Sequence, residues 1–152
     1  MPKGETMSYQ NIDHEALTSI YKNAHVALQS ISDIIDKTDH PEMKAELKRE
    51  YEGYENFIGK ISAHMKEIGC EPKDIGIMKK AFMNMAITMN TLTDGSKSHV
   101  AELMIKGTVM GITELTELKN GNKDILSQTT NDLLNELLCL EEDYEERLKT
   151  LL

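Results

Sequence analysis

Apolar residues at Leu17, Ile20, Ala24, Leu28, Ile31 and Ile34 follow one another at steps of three and four, the spacing that gathers side chains on one stripe of an α-helix. This predicts a first helix over residues 13–37. The stretch Thr38-Asp39-His40-Pro41-Glu42 then joins a capping residue to a proline suited to a first helical turn, so a second helix is expected to start at once and return antiparallel. Met43, Leu47, Tyr51, Tyr54, Ile58, Ile61, Met65 and Ile68 keep the spacing until Gly69 and Pro72 supply a stop. Gly53 and Gly59 weaken this helix by up to about 1 kcal/mol each relative to Ala and mark places where a neighbour can come close.

A third helix carries Met78, Phe82, Met85, Met89 and Leu92 and ends at Thr93-Asp94-Gly95-Ser96. The fourth starts near Ser98, holds Val100, Met104, Thr108, Gly111, Ile112, Leu115 and Leu118, and closes at Asn120-Gly121-Asn122. The fifth is expected from Lys123 to the last residue, with Leu126, Leu133, Leu137, Leu140, Tyr144, Leu148 and Leu151 on its stripe. Short links make neighbours antiparallel, so the expected architecture is an all-α, up-down four-helix bundle with an additional helix. The third helix is expected to cross one end or to pair with the fourth. Residues 1–11 are expected to be a mobile segment and residues 12–152 one bundle domain. Residues 23–34 and 107–118 share a pattern of small and aliphatic positions, which a duplication or two ordinary core helices would both produce.

Composition narrows the partners. Seventeen basic and twenty-six acidic residues leave a formal charge of −9, which repels nucleic-acid phosphates and anionic lipid heads. Pairs such as Lys48-Arg49 and Lys79-Lys80 are interleaved with carboxylates and read as solvated faces; neither nucleic acid nor a membrane is an expected partner. Cys70 and Cys139 have no Cys-x-x-Cys spacing and are expected as thiols in a reducing compartment. No apolar run reaches the roughly 18 residues of a membrane span and no signal-peptide pattern opens the sequence, so the expected address is the cytoplasm.

Glu71-Pro72-Lys73, the methionine-rich stretch Met85 to Met89, and above all TDGSKSHVAELMIKGTVMGITELT at residues 93–116 resemble an uncharacterised family of small bacterial ferritin-like proteins, mostly from Firmicutes. The likeness runs from about residue 16 to the end. It implies the ferritin-like helical bundle as the fold and names no activity.

Ferritin-like bundles can hold two irons with a Glu from each of two helices and a Glu-x-x-His from each of the others. His14, His25, His40, His64 and His99 are preceded three positions earlier by Asn11, Lys22, Lys37, Ile61 and Ser96, so Glu-x-x-His is missing and the ferroxidase inference with it. What is left for iron, manganese or zinc is an atypical set: His99-x-x-Glu102 on the fourth helix, Glu52 and Glu55 on the second, and His25 beside the first stripe. The plainer expectation puts Glu102 in water paired with Lys106, and His99 as a hydrogen-bonding residue of a helix N-terminus. Glu114 and Glu117 extend a line with Leu103, Gly107 and Met110 that could reach the edge of the core, where an unpaired carboxyl would titrate high; the plainer expectation is a solvated flank.

Two features could serve recognition. Ala101, Gly107, Thr108 and Gly111 give the fourth helix a small-residue face, and Met78, Met83, Met85 and Met89 give the third a methionine stripe. Each is expected mainly as packing within the domain, with a homo-oligomer contact or an adaptable binding surface as the competitor. Nucleophile elbows and phosphate loops are absent from the sequence. The leading expectation is therefore a non-catalytic bundle without a cofactor, acting by self-association or by holding a partner or ligand; the alternative is a metal-binding or redox protein. Both turn on an interior that is apolar and short of carboxylate and imidazole pairs.

Overall fold

The computed structural model describes residues 3–71 and 80–152, and every regular element among them is helical. The first helix, α1, runs Lys3–Ile34 and tightens into a 3-10 turn at Ile35–Lys37. It begins ten residues before the expected position, because polar residues ahead of the apolar stripe continue the helix. Pro41 opens α2, Pro41–Glu67, at the position where a missing N–H costs nothing. The end of α2 follows the expected stop: Gly69 takes φ +69, its N–H donates to the Lys66 carbonyl at 3.2 Å, and the Cys70 N–H donates to the Met65 carbonyl at 2.8 Å. These are the two bonds of a Schellman cap, and the flanking Met65 and Cys70 are both buried.

α3 is Lys80–Asn90, α4 Lys97–Gly121 and α5 Gln128–Lys149. Met78 lies outside the described residues. The fifth helix starts later than Lys123, since Asp124 turns left-handed at φ 64 and Ser127 caps the new helix by accepting from the Thr130 N–H. Asp13 of α1 reinforces that cap across the fold: the Ser127 N–H and the Thr130 hydroxyl donate to its two carboxylate oxygens at 2.7 and 2.9 Å. Buried Asp13 therefore ties the start of α5 to α1.

Cross-helix contacts fix the directions. Asp13 meets the start of α5, so α1 and α5 begin at the same end. Lys97 of α4 lies 4.0 Å from Glu42 of α2, and Lys60 of α2 lies 3.0 Å from Glu136 of α5. With Glu46 against Arg147, α2 runs opposite to α5 and alongside α4. The order is up, down, down, up. Strict alternation fails because α2 and α4 start at the same end; α3, between them in the chain, lies against α1 and α4 rather than across an end. Lys37 fastens its C-terminus, donating to the Met89 carbonyl at 3.0 Å and to that of Asn90.

Leu17, Ile20, Ile31, Ile34, Leu47, Ile61, Leu115, Leu134 and Leu137 are wholly enclosed, at about 1.5–3 kcal/mol of burial each. On α2 the stripe is rotated from the expected line: Phe57 is buried, Tyr51 and Ile58 are half-buried, and Ile68 is exposed. Cys70 is buried, Cys139 is exposed, and neither forms a disulfide. No helix among the described residues is long and apolar enough to cross a membrane.

Candidate functional site

The interior is not the uniformly apolar one expected. Glu46, Glu50 and Glu141 are all buried among the core side chains. On α2, Glu46, Glu50 and Tyr54 recur every fourth residue and so share one face; on α5, Glu141 and Tyr144 stand one turn apart opposite them. Two glycines make room. A Cβ on Gly53 would overlap the Tyr144 hydroxyl, and one on Gly111 would lie 2.6 Å from Glu141 Oε1. The Tyr54 and Tyr144 rings meet edge to face at 5.3 Å between centroids.

The outer end of this polar row is neutralised. Arg147 donates from Nε to both oxygens of Glu46, at 2.9 and 3.2 Å, and approaches Oε1 again through Nη2 at 2.8 Å. Burial alone would raise Glu46, but hydrogen bonds with Glu50 and Arg147 and the Arg147 charge bring it below the usual carboxylate range. Glu50 behaves oppositely. Burial, then the hydrogen bond and charge of Glu46, push it up to about 10, so it carries a proton at neutral pH. As a carboxylate it would have no hydrogen-bond partner for either oxygen; as an acid it donates to Glu46.

The inner end opens into a chamber of about 30 Å³ bounded by α1 to α5, room for roughly two water-sized groups at the ~10–15 Å³ each requires. Val26, Met85, Met89 and Met104 supply apolar wall, and Asn23, Tyr54 and Glu141 a polar floor. Most of the polar groups are committed. Asn23 Nδ2 donates to the Gly111 carbonyl at 3.1 Å, and the Ser30 and Thr108 hydroxyls donate to carbonyls of their own helices at 2.9 and 2.7 Å. Glu141 Oε1 is the exception: buried and without a hydrogen-bond partner. Burial and then the charge of Glu114 raise the Glu141 carboxyl well above its ordinary range, while its hydrogen bond with Tyr54 works the other way. Burial likewise lifts the Tyr54 hydroxyl, with the Glu141 charge next.

The residues singled out from the sequence lie elsewhere and apart. His25 is half-buried, stacked at a tilt on Tyr21 at 4.5 Å, with a buried Nε2 that lacks a partner and a pKa lowered by burial. Glu52 and Glu55 are exposed on the outer face of α2, and His99 is half-buried near the start of α4. Glu102 pairs with Lys106 at 3.2 Å in solvent. Among the described residues no group of three or more His, Cys, Asp or Glu could hold a metal ion. Of the two α4 carboxylates, Glu117 is exposed and Glu114 half-buried toward Glu141. The small-residue face of α4 is covered within the chain, Gly107 by Met85 and Met89 and Gly111 by Glu141.

Comparison with protein-family models, with curated proteins and with solved structures returned no match.

Proposed function

We propose that this protein is a ferritin-like helical bundle with a binding rather than a catalytic role, and that it takes a small ligand into the chamber above Glu141. The up-down-down-up order with one long crossover supports the ferritin-like reading, since bundles of that class carry a single long connection. The 93–116 signature supports a place in the bacterial family it resembles, and the acidic composition suits the cytoplasm. One observation carries the ligand reading: Glu141, whose Oε1 is buried and without a partner, is one of the residues that bound a methionine-walled space, whereas buried polar groups are ordinarily satisfied. Methionine side chains adapt to ligands of varied shape.

The test is a small-molecule screen read by the 13C-methyl resonances of Met85, Met89 and Met104, repeated on Gly107→Leu, whose side chain would enter the chamber from α4. Ligands that shift those methyls in the native protein and not in the folded variant support the reading; none doing so rejects it.

A second reading, self-association through α3, is favoured by Met83 and Ile87, which are 51% and 60% exposed one turn apart. Sedimentation of the native protein against Met83→Lys/Ile87→Lys tests it, and a native protein that stays monomeric at high concentration removes it.

A further inference from the structure

We infer that α3 is a door over the chamber and Lys37 its latch, so that a ligand enters when the Lys37 ammonium group releases the end of α3. What passes rests on the ligand reading above; the door itself rests on how α3 is held. The closed chamber, about 30 Å³, takes no more than roughly two water-sized groups. A larger ligand enters only if a wall moves.

Among the walls, α3 gives way most readily. α2 and α5 each bury eight residues and α4 seven, whereas between residues 83 and 90 of α3 only Met89 is buried. Met83, Asn84, Ile87 and Thr88 are exposed on the far side, so α3 is a wall one helix thick. Residues 81–93 include no charged side chain, so ion pairs do not fasten it there. An element with few buried apolar side chains opens at a lower free energy than the core around it. Its opening moves Met85 and Met89 away from Gly107, which they cover, and uncovers the α4 side of the chamber at Met104 and Thr108.

The hold is concentrated at one end. Among the described residues, the hydrogen bonds that tie residues 83–90 to another element both come from Lys37, which donates to the carbonyls of Met89 and Asn90. Carbonyls at a helix C-terminus lack partners within the helix and carry partial negative charge, which suits an ammonium group. The Lys37 backbone meets the link after α3 at Gly95, where a Cβ would overlap the Lys37 carbonyl oxygen. That link stays anchored when the side chain lets go.

The experiment is native-state amide exchange on the whole chain, with the Met104 methyl resonance followed in the presence of a soluble gadolinium chelate, for the native protein, Lys37→Met and Lys37→Arg. In the native protein the amides of residues 84–90 are expected to exchange before those of α2, α4 and α5. Lys37→Met should quicken them about tenfold or more, leave the amides of Leu134, Leu137 and Leu138 unchanged, and let the chelate broaden the Met104 methyl. Lys37→Arg, which keeps the charge and the donors, should stay close to native. The inference is overturned by α3 amides that exchange no earlier than those of α5, or by a Lys37→Met that leaves α3 unaltered or quickens every helix alike. A Met104 methyl still shielded while α3 exchanges faster, or a Lys37→Arg as open as Lys37→Met, overturns it too. None of these readouts uses a ligand. A screen without a binder therefore rejects the ligand reading and leaves the door, and a rigid α3 does the reverse.

Discussion

Gly111 of α4 faces Glu141 of α5 so closely that a methyl group on its Cα would stand 2.6 Å from Oε1 and 3.3 Å from the carboxyl carbon. Helix propensity alone makes Gly→Ala favourable in a helix interior by up to about 1 kcal/mol. Here the added carbon meets a buried carboxyl that Tyr54 holds by a hydrogen bond. Gly111→Ala should therefore lower stability, by about 1–3 kcal/mol as overpacked core substitutions do. Urea unfolding of the variant checks the sign, and a stabilised Gly111→Ala would mean that Glu141 moves without cost.

Glu50 sets a pH dependence. Its folded pKa of about 10 lies above the unfolded value of 4.5, so the native state holds a proton that the unfolded state has lost. Its contribution is intact below about pH 4.5 and is lost as pH rises toward 10, at a slope of up to about 1.4 kcal/mol per pH unit. Glu46 has the opposite sign, its lowered pKa contributing stability that is lost as pH falls. Glu50→Gln keeps the shape and removes the titration. Chemical denaturation at pH 5.5 and 8.5 should show the native protein losing stability between the two and the variant losing less.

Asp13 is expected to hold α5 at its start. Asp13→Ala removes the acceptor of the Ser127 N–H and the Thr130 hydroxyl, leaving buried Thr130 without that partner. A loss of about 1–3 kcal/mol is expected for a cap and buried hydrogen bonds together. Amide exchange should quicken first in residues 127–131; exchange that quickens equally everywhere would show Asp13 to be general packing.

Much of the framework was legible in the sequence and the polar interior was not. Pro41 and Gly69 announced the boundaries of α2 because each acts through its own backbone, and the three-and-four spacing found the buried leucines. That same spacing counts only apolar residues, so Glu50, in the slot between Leu47 and Tyr54, and Glu141, between Leu137 and Tyr144, were passed over although each occupies a core position. The signal was there as polar residues at otherwise apolar steps. The partners that tolerate them, Arg147 for Glu46 and Gly111 for Glu141, come from other helices and depend on the packing. Parallel α2 and α4 could not be read from link length either, because a connection carrying its own helix can cross an end or run back along the bundle.

The chamber is tested most directly by a crystal structure of protein purified from cells without chelators or small-molecule additives. The account predicts density for a molecule other than water within hydrogen-bonding reach of Glu141 Oε1, with its apolar part along Met85, Met89 and Met104. A chamber holding only water, or closed by those methionines with Oε1 bonded to a group of the protein, would contradict it.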